Sequence, residues 1–170
     1  MCFRITDNCE NIIPKYFRFL SGVIDSEDIS LNISREMLQN DPVLSKIKSN
    51  IVKKILSELE KVLKNNKKEY IKFWENFGAI LKEGIHEDFT NKENILKLSM
   101  FYSSNQKELT TLSDYVERMP KDQKEIYYIS GENKDNLMKS PQMENFIKNK
   151  IEVLFFTDPI DEFWLPNLDN

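Results

Sequence analysis

The chain carries one histidine, two cysteines and four glycines in 170 residues, and each scarcity closes off a kind of chemistry. His86 on its own cannot assemble a multi-ligand zinc centre, and no nucleophile lies beside it in sequence to make a relay. Cys2 and Cys9 have neither CxxC spacing nor a histidine cluster, so they read as reduced thiols of a cytoplasmic protein. A Gly-rich phosphate loop is missing, which argues against a free-standing nucleotide enzyme. No run of about 18 apolar residues could span a bilayer, and the start of the chain lacks a basic region followed by an apolar signal core. A net charge of −4 supplies no overall drive toward nucleic acid. Neither a nucleic acid nor a membrane is expected as a partner.

What is present points to a folded domain. Hydrophobic residues make up 40% of the chain, with 11 Phe, 6 Tyr and 2 Trp placed periodically. Cys2-Phe3-Arg4-Ile5 alternates like a strand, and a lone strand at the first residues needs partners, so the chain reads as a fragment of something longer. Residues 11–20 suggest a short helix or turn around Pro14, leading into a buried strand over 17–25. Asp41-Pro42 is a strong helix start, followed by Val43, Leu44, Ile47, Ile51, Val52, Ile55, Leu56, Leu59, Val62 and Leu63 at helical steps. The same helix holds eight lysines against three acids over 41–68, a solvated face or a surface for an acidic partner.

A second helix carries the stripe Tyr70, Phe73, Trp74, Phe77, Ile80 and Leu81, with Gly84 as its C-terminal cap. Thr90 to Glu93 has capping-box spacing ahead of a third helix with Ile95, Leu96, Leu98 and Phe101. The three should pack together as a connector. A short helix with Leu112, Tyr115, Val116 and Met119 closes at Pro120. Strands over 125–130 and 152–157 flank a helical stretch broken at Ser140-Pro141, a βαβ crossover with parallel strands. Asp158 should cap a last helix starting at Pro159, with Asp161 and Glu162 in its first turn. After them Phe163, Trp164 and Leu165 offer bulky apolar groups that either fill a core or make a sticky patch.

One arginine stands apart in the segment GVIDSEDISLNISREMLQ, residues 22–39. Asn32 or Ser34 can cap a helix there, which puts Arg35 in the first turn, against the helix dipole. Arg35 and Gln39, four apart, share a face beside an inward-turned Met37 and Leu38. A planar fork on a loop suits phosphate; a surface network with Glu36, Glu27 or Asp28 is the alternative.

That segment, with FWENFGAILKEGIHEDF over 73–89, DYVERMPKDQKEIYYISGE over 114–132 and EVLFFTDPIDE over 152–162, resembles the heat-shock protein 90 chaperone family. The likeness runs from about Phe3 to about Trp164, and the FWENFGAILKEG run is closer to the bacterial, high-temperature protein G branch. It implies an α/β chain, α+β by content, from the later part of the family's middle domain. Residues 1–40 would end a large αβα sandwich and carry the catalytic loop. Residues 41–109 would form a helical connector, and 110–170 a small αβα layer with a parallel βαβ unit.

By the same resemblance, Arg35 matches the arginine that reaches the ATP γ-phosphate and Gln39 the glutamine that supports the closed state. ATP and Mg²⁺ would be held by a preceding domain, so the chain binds no cofactor alone and is no enzyme by itself. Partners implied are that ATP-binding domain, non-native client proteins and a second copy in a full-length homodimer; the apolar group of Phe163 and Trp164 is the candidate client contact. The rival is a passive interaction module with no part in nucleotide chemistry. Ser30 stands where the family carries proline, which frees the loop's φ angle.

Overall fold

A computed structural model describes residues 13–22 and 42–167. Expectations for 1–12 and 23–41 lie outside the described residues, among them the strand at Cys2, both cysteines, and the loop bearing Arg35 and Gln39.

The first described element is a single 3₁₀ turn, Lys15–Phe17, and residues 18–22 continue as a turn and irregular backbone. No strand forms over the described part of 17–25. Tyr16 and Phe17 are instead buried side by side, with ring centroids 4.6 Å apart.

Helix α1, Pro42–Asn65, starts at the proline, and its apolar stripe buries Leu44, Val52 and Leu56. Its lysines face outward: Lys54 and Lys61 flank Glu58, and Lys64 pairs with Glu60. Helix α2, Lys67–Glu87, follows after one residue, Asn66, whose side chain caps it by accepting the Glu69 N–H at 3.2 Å. Contrary to expectation, α2 runs past Gly84. This glycine is a close-approach position: an added Cβ would stand 2.6 Å from Ile95 Cδ1 and 2.9 Å from the Tyr16 ring.

Helix α3, Lys92–Leu98, is shorter than the apolar pattern suggested. The side chain of its cap residue Asn91 makes no cap bond; the Asn91 N–H and side-chain amide both donate to the Asp88 carboxylate, at 3.1 and 2.8 Å, which replaces the expected Thr90 capping box. Ser99 turns extended, and Phe101 belongs to strand β1, Met100–Ser103. β1 buries Met100, Phe101 and Ser103, so no two-residue alternation marks it. Strand β2, Thr110–Thr111, leads directly into α4, Leu112–Arg118. Thr111 and Asp114 form a capping box at the start of α4.

Strand β3, Tyr128–Ser130, and strand β4, Leu154–Phe156, are parallel neighbours with Ile129 opposite Phe155. The crossover holds α5, Lys134–Met138, and α6, Met143–Lys148, broken around Ser140-Pro141. The sheet order is β2-β1-β4-β3, with β1 antiparallel to both neighbours. Helix α7, Asp161–Trp164, follows β4 and runs into a 3₁₀ turn, Leu165–Asn167.

Alternation along β4 separates two cores. Leu154 and Phe156 face a large cluster shared with Tyr16, Phe17, α1 to α3, Phe101, Tyr115 and Trp164. Val153 and Phe155 face a small cluster with Met143, Leu137 and Phe146 under α5 and α6. The result is a helix–sheet–helix layering in which the sheet begins at Met100, before the expected boundary at 110. Among the described residues no helix is long and apolar enough to cross a membrane.

Candidate functional site

Two regions at the C-terminal half of α2 carry the residues of interest. The first is the stem of the segment that bears Arg35. Residues 13–22 are clamped onto α2 by three kinds of contact. The Tyr16 hydroxyl donates to Asp88 Oδ2 at 2.6 Å. The Arg18 guanidinium forms a fork on Glu83, Nη2 to Oε1 at 2.7 Å and Nη1 to Oε2 at 2.5 Å. Phe19 stacks on Phe77 at 4.9 Å and meets Phe73 edge-on at 5.5 Å.

The stem is electrostatically settled as well. Burial alone would raise the Asp88 carboxyl, but hydrogen bonds from Tyr16, the Asn91 side chain, and the Asn91 and Thr90 backbones bring it below its ordinary value. The Arg18 fork holds Glu83 below the usual carboxylate range. Burial, then the bond to Asp88 and its charge, push the Tyr16 hydroxyl far up, so it stays protonated and donating. Tyr16, Arg18 and Phe19 are thus held on α2.

The second region is the start of α7. Lys82 is 1% exposed, and its ammonium meets Asp158 Oδ2 at 2.7 Å, Asp161 Oδ2 at 3.0 Å and Asp161 Oδ1 at 2.9 Å. The Phe101 ring covers it at 4.4 Å. Asp161 also accepts the Trp164 Nε1–H at 3.1 Å and the Asp158 N–H at 3.3 Å. Burial lifts the Asp161 carboxyl above its ordinary value; Lys82 opposes that and the neighbouring Asp158 adds to it. The cap of α7 is Ile160, without a side-chain bond, rather than Asp158. The two aspartates hold Lys82, Asp161 doing so from the first turn of α7, where it and Glu162 were expected.

Of the two apolar residues singled out at this end, the structure separates one from the other. Phe163 is 61% exposed, whereas Trp164 is 1% exposed in the large core beside Phe156 at 5.6 Å and Phe101 at 6.4 Å. Trp164 is a core residue and cannot meet a client in this conformation. The exposed His86 lies edge-on to Phe163 at 6.4 Å. Lys82 was missed as a site residue: at helical spacing behind Gly78 and before Gly84 it reads as one more solvated lysine. The available signal was its place four after Gly78, within a stripe of aromatic neighbours. Arg35 and Gln39 lie outside the described residues.

Comparison with known proteins extends this picture. The family described as Hsp90 protein matches residues 3–170. The chaperone protein HtpG of Paramagnetospirillum magneticum is 54% identical over 161 residues, 95% of this chain and 26% of that protein. HtpG of Ehrlichia canis is 50% identical over 163 residues, covering 94% and 26% respectively. The chain thus spans about a quarter of the length of these curated relatives. Among solved structures, the middle domain of a Plasmodium falciparum heat shock protein superposes with a TM-score of 0.76 at 40% identity, covering 92% of this chain and 60% of that one.

Proposed function

The chain belongs to the Hsp90 protein family, matched over residues 3–170, and from that premise we propose that it works as a middle-domain segment of an ATP-driven chaperone. The observation that carries this is the 54% identity to a chaperone named HtpG across 95% of the chain. The clamped stem supports the finer reading, in which Arg35 completes ATP hydrolysis in a neighbouring ATP-binding domain.

Under this proposal ATP and Mg²⁺ are held by that other domain, and the chain alone is no enzyme. Arg35 contributes a positive fork that meets the transferring phosphoryl group when the two domains dock. Charge developing in the transition state is then stabilised only in the docked geometry, which couples closure to turnover. Gln39, four residues on, supports the same closed state. Non-native clients bind the α7 surface through Phe163, and the full-length protein pairs with a second copy.

The test is made in a full-length protein carrying this segment. Arg35→Ala should lower hydrolysis on the order of a hundredfold while nucleotide affinity stays nearly unchanged. Comparable losses in binding and turnover would move Arg35 to ground-state recognition and refute the proposed role. Purified alone, the 170-residue chain should turn over no ATP.

A further inference from the structure

Helix α7 is four residues long, far too short to persist by its own backbone hydrogen bonds. Its first residue, Asp161, is fully buried, its third, Phe163, stands in solvent, and its fourth, Trp164, is buried again. The position of Phe163 is therefore set by the two buried residues on either side of it. Trp164 supplies shape by lying against Phe101 and Phe156. Asp161 supplies direction, because every polar atom of its carboxylate is bonded: Oδ1 to Trp164 and Lys82, Oδ2 to the Asp158 N–H and Lys82.

The network converges on one cation. Lys82 comes from α2, a different element, and no other basic side chain is ion-paired to Asp158 or Asp161 among the described residues. Its ammonium has three donors, the two carboxylates face it, and the Phe101 ring closes the remaining side. Among the described residues no buried side-chain polar atom lacks a partner, so this arrangement is complete as it stands. Taking away the cation would leave Asp161 as a buried charge with nothing opposite, a state that proteins escape by rearranging. The nearest rearrangement is release of α7 toward water, which would carry Phe163 away from His86.

We propose that Lys82 is a positioning residue for the α7 interaction surface: through Asp158 and Asp161 it fixes α7 on α2 and thereby holds Phe163 exposed beside His86. This rests on the reading of Phe163 as a client contact, and adds to it that the contact is preorganised by a buried ion network rather than by the local helix. Lys82 itself touches no client. A rigid, pre-placed aromatic loses little freedom on binding, which is what such a network would provide.

The experiment uses the 170-residue chain with Trp74→Phe, so that Trp164 is the one remaining tryptophan, and reduced, carboxymethylated α-lactalbumin as the unfolded probe. In that background Lys82→Met should make Trp164 several-fold more quenchable by acrylamide and weaken probe binding about tenfold. Phe163→Ala should weaken binding to the same degree without changing Trp164 quenching. If Lys82→Met fails to fold, Asp161→Asn, which keeps the shape and the Trp164 bond but removes the charge, should give the same two changes in milder form. Unchanged Trp164 quenching in the folded Lys82 or Asp161 variant overturns the proposal, whatever binding does. Unchanged binding in Phe163→Ala with quenching raised in Lys82→Met leaves Lys82 fixing α7 and refutes only the client reading.

Discussion

Gly84 shows how a single residue was visible in the sequence for the wrong reason. A glycine after an aromatic stripe reads as a helix cap, yet here it sits inside α2 because the Tyr16 ring and Ile95 occupy the space a side chain would need. Both neighbours are buried, and Tyr16 is tied to Asp88, so neither can retreat easily. Gly84→Ala should destabilise the chain by about 1–3 kcal/mol, measured by urea unfolding, despite the better helix propensity of alanine. A stabilised variant would mean that the stem of the Arg35 segment yields. Asp158 and Trp164 were misread similarly: DPIDEFW offers Asp158 as a cap and Trp164 as a surface group, whereas Asp158 pairs with Lys82 of α2 and Trp164 is buried. A long-range ion pair leaves no mark on local spacing.

At the scale of elements, what repeats was legible and what is short was not. Helix α1 announces itself through ten apolar positions at helical steps, and the parallel pair β3 and β4 through apolar runs flanking a broken helix. Strand β1 hid in the tail of α3, because Met100, Phe101 and Ser103 are buried and Tyr102 alone is exposed, which leaves no two-residue period. The helices α5 and α6 were foreseen, but not how lightly they are held. Only Met143, Val153 and Phe155 are buried beneath them, while the opposite face of the sheet shares a large cluster. Amide hydrogen exchange should therefore release residues 134–148 well before α2, with a protection difference of a few kcal/mol, readable by mass spectrometry of peptic fragments. Equal protection of the two layers would show that burial on the small face is not what limits opening.

For the molecule as a whole, the carboxylates set the response to acid. Glu83, Asp88 and Asp114 all have folded values below the ordinary ones, the last because bonds from Lys67 and Thr111 outweigh its burial. Their stabilisation is present above the unfolded carboxyl range, about pH 4, and is lost as pH falls through the lower folded values. Asp161 has the opposite sign: burial raises its value against the pull of Lys82, so the ion pair that positions α7 is kept at a net cost to folding, and that cost lifts as pH drops through the raised value. The melting temperature of the chain should thus hold or rise slightly on mild acidification and then fall by several degrees below about pH 4. In Asp161→Asn the mild acid-side rise should be absent.

The core that spans Val52, Tyr70, Phe101, Phe156 and Trp164 has a further meaning for how the chain can be divided. A cut near residue 110, where the sequence invites one, would leave Phe101 on one piece and Phe156 with Trp164 on the other, though their rings lie 4.4 Å and 6.4 Å apart. Each piece would present half of one apolar surface, so the two would behave as complementary fragments that fold by reassociating rather than as independent beads.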